Sequence, residues 1–276
     1  MEKGYSMHGS KQRQRRSLRL VYMMVLMGML VLLFWPHGGQ ATVLWTGDSE
    51  EGDLRDWYRP CPNAAPCGNE GGGEFDSGGG YSAITSSYVH SGHYAVVQTI
   101  NSTAESGTRL FRWAEQRSNP ELYYSTWNYF QQGFAPANGY GWWMMEGWKV
   151  RRTQGAPVNN MLHLILDYTF DPTQMYLRLN YYPPGGGAMR RYTQRIKAMP
   201  VGNWFRLQTY VRASRTATGQ IIVWLDGVEI FNVNNIVTQG SGTDGTPQWE
   251  ITNYGYNLSP RTVTKYVDDA IISTTP

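Results

Sequence analysis

From Thr42 onward, apolar and polar residues alternate with a period of two in one short segment after another. That is the pattern of strands with one buried face. His93–Ile100, Thr108–Trp113, Leu122–Phe130, Asn160–Tyr168, Gln174–Tyr182, Met189–Ile196, Asn203–Ser214 and Lys265–Ser273 each read as a strand. So does "GWWMMEGWKVRR", Gly141–Arg152, and "VLWTGDSEEGDLRDWY" opens the series with a short strand and a turn. In "QIIVWLDGVEIF", Asp226-Gly227 separates two apolar runs and predicts a tight hairpin. The segment Cys67–Tyr81, "CGNEGGGEFDSGGGY", carries too much glycine for an ordinary strand and is expected as a long surface loop. No long stretch repeats at helical spacing. Many closely spaced strands without helices predict an all-β, antiparallel two-sheet sandwich or jelly roll. No Pro/Ser linker divides residues 42–276, so one domain is expected there.

The alternation also sorts side chains into faces. Leu162, Leu164 and Leu166 share one face with the core, which leaves His163 and Asp167 on the other. Leu177 and Leu179 likewise oppose Tyr176, Arg178, Asn180 and Tyr182. In Gly141–Arg152 a strict period groups Trp142, Met144, Trp148 and Val150 inward and Trp143, Met145, Lys149 and Arg151 outward. Glu146 then falls on the apolar face, so either it is paired or a bulge shifts the register. If these three strands are neighbours, their outward faces make one surface with aromatic, basic and amide groups. Taken singly, each such residue is as well explained by ordinary core or a solvated face. The joint pattern on three strands is what singles the surface out.

Composition narrows the class. Aromatics make up 14 % of the 276 residues, with 11 Trp and 19 Tyr, while charged residues are only 16 %. This fits a turn-rich β protein and excludes a disordered chain. The net charge of +3 says little, because Lys11, Arg13, Arg15, Arg16 and Arg19 lie in the N-terminal tail. There they precede an apolar run, Leu20–Trp35, and the small residues Gly39 and Ala41. Residues 1–41 thus read as a signal peptide, with an uncleaved single-pass anchor as the alternative. Either way the domain is expected outside the cytoplasm, with no membrane contact except through that segment. Export makes Cys61 and Cys67, flanking "PNAAP", a disulfide pair closing a short loop. Low lysine content and export argue against a nucleic-acid partner.

A family resemblance covers most of the chain. "GDLRDW", "HSGHYAV", "RWAE", "YYSTWNYF", "GWK", "TGQIIVWLDGVEIF" and "YVDDAIIS", in this order, resemble the heparin-lyase-I-like group of the concanavalin A-like jelly rolls. The resemblance implies a groove across one sheet and cleavage of an acidic, uronate-containing polysaccharide by β-elimination. That chemistry needs a cation or amide for the uronate carboxylate, a base for the C5 proton and an acid for the leaving oxygen. His163 is the candidate base, Tyr182 the acid (with Tyr176, Tyr254 and Tyr256 as alternatives) and Arg178 the carboxylate partner. Arg112, Trp143, Lys149, Arg151, Tyr176 and Asn180 are the expected substrate-binding residues. Arg112 and Lys149 match basic positions of the family, whereas Gly147 replaces a glutamine. A non-catalytic glycan-binding jelly roll is the alternative. There is no "GxSxG", and the groove strands offer no carboxylate pair beyond Asp167 for hydrolysis. One structural calcium is expected where the first turn meets the last strand, at Asp48, Glu50 and Asp268, with Asp53 and Asp269 nearby.

Overall fold

A computed structural model of the chain describes residues 42–58, 71–117, 119–131, 142–151, 159–167, 174–184, 187–240, 246–258 and 260–276. Fifteen strands are found among them, in chain order β1 (Val43–Gly47), β2 (Gly72–Ser77), β3 (Tyr81–Thr85), β4 (Ala95–Asn101), β5 (Ser106–Arg112), β6 (Glu121–Phe130), β7 (Trp142–Arg151), β8 (Asn159–Asp167), β9 (Tyr176–Tyr181), β10 (Arg190–Thr193), β11 (Phe205–Arg212), β12 (Gly219–Leu225), β13 (Val228–Ile236), β14 (Thr246–Tyr256) and β15 (Thr262–Ser273). Only two short 3-10 turns, Arg55–Tyr58 and Glu115–Arg117, interrupt them. All pairings are antiparallel. The strands form two sheets, as a jelly-roll sandwich does.

The eight-stranded sheet runs β13-β12-β11-β6-β15-β4-β3, with β1 on β15; the seven-stranded sheet runs β10-β9-β8-β7-β14-β5-β2. Their inward faces meet in one apolar core. Leu162, Leu164, Leu166, Leu177 and Leu179 of the smaller sheet face Phe205, Leu207, Val211, Ile221 and Val223 of the larger. Period-two alternation explains this arrangement, because each strand contributes every second side chain to the core. The Asp226-Gly227 hairpin forms as expected, with both residues at positive φ (46° and 76°), the conformation that such a two-residue turn requires.

Two segments depart from the sequence reading. The glycine-rich stretch is not one long loop: Gly72–Ser77 and Tyr81–Thr85 are strands. Glycine is needed at Gly72 for packing, since a Cβ there would lie 2.1 Å from the Phe111 carbonyl oxygen and 2.4 Å from that of Trp57. The second is β14, whose "TPQWEITNYGY" was not singled out, yet it lies in the middle of the smaller sheet between β7 and β5. The expected Cys61–Cys67 disulfide and the whole N-terminal segment lie outside the described residues. Among the described residues no helix is long and apolar enough to cross a membrane.

Candidate active site

An irregularity in β7 decides which of its aromatic side chains reaches the site. Met144 pairs with Ile165 and Glu146 with Leu164, so Met145 is an extra residue in the ladder with β8. Such a bulge lets two successive side chains point the same way. Met145 and Glu146 both turn inward, and the period restarts one residue out of step. Trp143 therefore lies in the core before the bulge, and Trp148 and Val150 lie there after it. Gly147 and Lys149 face outward.

An interior charge pair holds this bulge. Lys265 reaches in from the opposite sheet, and its Nζ donates to the carbonyls of Thr252 (2.8 Å) and Met145 (3.2 Å). Glu146 accepts from Thr126 Oγ1 (2.8 Å) and Trp249 Nε1 (3.3 Å). Both groups are fully enclosed. Burial raises the Glu146 pKa and lowers that of Lys265, and each charge partly offsets the shift of the other.

On the outer face of the smaller sheet, His163 is the centre. Across the ladders it pairs with Gly147 of β7 and Asn180 of β9. Its ring lies 5.1 Å from the Tyr182 ring. Its Nε2 is buried and has no hydrogen-bond partner among the described residues, and the same holds for Asn180 Oδ1. Burial, and then the charges of Lys149 and Arg109, push the His163 pKa down to about 3. The imidazole is therefore neutral at physiological pH and open to a proton.

Around it stand three cations. Lys149 Nζ lies 2.7 Å from Glu250 Oε2, and Arg109 Nε lies 3.8 Å from the same oxygen. The Arg109 guanidinium also sits over the Tyr254 ring at 4.2 Å, and Trp142 meets that ring edge-on at 4.6 Å. Arg178 is held by Asp167, its Nη1 3.2 Å from Oδ2. The face thus presents fixed positive groups, an amide, a neutral imidazole and two phenols. It can bind a carboxylate and move a proton beside it.

The structure brings His163, Lys149, Arg178, Asn180 and Tyr182 onto one face, as the sequence reading expects, with Tyr176 at its edge opposite Asp167. Two expected residues are elsewhere. Trp143 is not on this surface: the bulge turns it into the core, where its Nε1 donates to Asn253 Oδ1 at 2.7 Å. Its neighbour Trp142 takes the outward place. Arg112 is also internal. Its guanidinium stacks on Trp45 at 4.8 Å, donates to the Trp57 carbonyl at 3.1 Å and pairs with Glu115. Arg109, three residues earlier in β5 and therefore on the opposite face, supplies the outward cation. Arg151 ends β7, and its side chain lies outside the described residues.

Arg109 and Glu250 escaped the sequence reading, and Tyr254 entered it only as an alternative acid, not as a ring beneath Arg109. "TRLFR" offers two arginines on opposite faces, and only the neighbouring strands decide which is outward. Glu250 and Tyr254 were legible in the alternation of "QWEITNY", had that segment been read as a strand.

At the expected calcium position, backbone N–H groups engage two of the carboxylates. Glu50 accepts the N–H groups of His93 (2.9 Å) and Tyr94 (3.0 Å). Asp268 Oδ2 accepts those of His90 (2.8 Å) and Ser91 (3.2 Å). No group of three acidic, His or Cys side chains among the described residues could hold a metal ion.

Comparison with known proteins fits this geometry. Residues 67–268 match the family model described as polysaccharide lyase. No curated protein sequence matches the chain. Among solved structures, the endo-β-1,4-glucuronan lyase of the fungus Trichoderma reesei is similar with a TM-score of 0.63 and 14 % identity, over 85 % of this chain and 96 % of that one. The marine PL-14 alginate lyase of Aplysia kurodai gives a TM-score of 0.54 and 14 % identity, over 84 % and 99 %. The alginate lyase vAL-1 from Chlorella virus gives 0.51 and 12 % identity, over 70 % and 89 %. At these identities the likeness is one of fold.

Proposed function

The chain belongs to the polysaccharide lyase family, and from that premise we propose that it cleaves a uronate-containing polysaccharide by β-elimination on the outer face of its smaller sheet. The observation that carries the assignment is His163, a neutral imidazole with an unpartnered Nε2, set among Lys149, Arg109, Asn180 and Tyr182.

The roles follow from chemistry. A uronate carboxylate binds among Arg109, Lys149, Asn180 and Arg178, and these groups stabilise the negative charge that develops when C5 loses its proton. His163 takes that proton. The electron pair of the C5–H bond passes through the enolate into a new C4–C5 double bond. The C4–O bond breaks with its pair on the glycosidic oxygen, which Tyr182 protonates. The free imidazole is a weak base because burial, and then two nearby cations, disfavour its protonation. A bound carboxylate offsets those cations and moves His163 back toward the range in which a base is useful. Trp142 and Tyr254 offer ring surface for a neighbouring sugar.

Export on residues 1–41 and a Cys61–Cys67 bridge are part of this reading, because a polymeric substrate lies outside the cell. The test is absorbance of the unsaturated uronate product, with polyglucuronate and alginate as first substrates. Wild-type protein forms the product and His163→Gln does not, although it still binds polymer. A wild-type protein that binds polyuronides but forms no unsaturated end with any of them is a lectin, and the lyase assignment fails.

A further inference from the structure

Gly147 and Glu250 are cross-strand partners in the β7–β14 ladder, and His163 is the partner of Gly147 on the other side. A Cβ on Gly147 would lie 2.7 Å from Glu250 Oε1 and 3.3 Å from His163 Cδ2. The missing side chain is thus a notch, and the Glu250 carboxylate fills it from one side while the imidazole borders it on the other. Glu250 is fully buried although it points away from the core. A buried carboxylate is costly unless it is paired. Its partners are Lys149 at 2.7 Å and Arg109 at 3.8 Å, two of the cations assigned above to the substrate.

We propose that Glu250 is the positioning residue of the site: seated in the notch left by Gly147, it holds Lys149 and Arg109 in register beside His163 and limits how tightly they grip the uronate. Lys149 has a long flexible stem, and Arg109 leans over Tyr254. Without a fixed anion between them both cations would drift toward solvent or fold onto the substrate carboxylate. The anchor therefore trades ground-state attraction for geometry that is correct when charge builds on the enolate. The groups that face Glu250 are Arg109 from β5, Lys149 from β7, His163 from β8 and, on its own strand, Thr252 and Tyr254. No second carboxylate among them can take its place.

The kinetic part of this proposal rests on the lyase reading, whereas the binding part does not. Glu250→Gln keeps the shape and removes the charge. Expected is a fall in kcat of about 100-fold, the size typical of a mispositioned catalytic group. Affinity for polyglucuronate oligosaccharides at low salt should rise by about threefold or more, because two cations lose their internal partner. A structural role alone would weaken both. Gly147→Ala keeps every charge and fills the notch, so it carries the test if Glu250→Gln does not fold. It should lower kcat by at least about tenfold in the wild-type background, yet cause little further loss in the Glu250→Ala background, since the notch is then empty. Additive losses, or weaker binding by Glu250→Gln, overturn the proposal. If the wild-type protein forms no unsaturated product, the lyase reading falls. The affinity change then decides the role of Glu250 by itself.

Discussion

Replacing Lys265 by methionine tests the interior device that sets the register of the active-site strand. Lys265 is wholly enclosed, and its ammonium satisfies the Met145 and Thr252 carbonyls at 3.2 and 2.8 Å. Methionine keeps the length and loses the charge and the donors. Two carbonyls are left unpaired, at roughly 1–3 kcal/mol each, partly offset because an ammonium no longer has to be desolvated. Glu146 is left as a buried carboxylate without its cation. Breaking a buried pair in this way costs about 3–5 kcal/mol. The loss should depend on pH with a definite sign. Burial raises the Glu146 pKa from 4.5 to about 7, and Lys265 opposes that rise. A raised carboxylate pKa means that the unfolded chain gives up its proton first, so stability is lost as pH rises toward the folded value. Without Lys265 the folded value climbs further, and the gap between variant and wild type widens above about pH 7. Urea unfolding at pH 5 and pH 8 measures it. The deficit should be larger at pH 8, and Glu146→Gln/Lys265→Met should remove the extra loss at pH 8, since no buried charge remains, while the cost of the two carbonyls stays at both pH values. A deficit that is equal at both pH values, or smaller at pH 8, would refute the account of the bulge.

Three further outcomes are expected. Because burial and two cations depress the His163 pKa from 6.5 to about 3, the folded protein refuses a proton that the unfolded chain accepts; stability should fall as pH drops from about 6.5 toward 3, and His163→Gln should flatten that acid limb in denaturant titrations. The two arginines of β5 should separate cleanly: Arg112→Met should cost about 3 kcal/mol of stability with KM unchanged, because it abandons Glu115 and the Trp57 carbonyl, whereas Arg109→Met should raise KM, read from steady-state kinetics beside thermal melts. The paired tryptophans should do the same, with Trp143→Phe losing about 1–2 kcal/mol through the orphaned Asn253 acceptor and Trp142→Ala raising KM at nearly constant stability.

The alternation of apolar residues was enough to establish an all-β sandwich, most of its strands, and which leucines of β8 and β9 fill the core. It did so because a strand with one dry face must place every second side chain there. It was also enough to put His163, Arg178, Asn180 and Tyr182 on a common surface, since β8 keeps its period from Leu162 onward and β9 keeps it throughout. Where the period breaks, sequence stops being sufficient. Glu146 announced that something was irregular in β7, but either a pairing or a bulge could explain it, and both are present. The cost of burying Glu146 is met by Thr126, Lys265 and Trp249, residues far away in the chain. The bulge that goes with this long-range pairing turns Trp143 and Met145 inward and Trp142 outward. Likewise nothing local distinguishes Arg109 from Arg112; the Trp57 carbonyl and Glu115 claim one, and Glu250 claims the other. The notch at Gly147 belongs to three strands at once. A strand's own sequence fixes the spacing of its faces, but which face is buried, and what an interior charge finds there, depends on groups that only the folded sheets bring together.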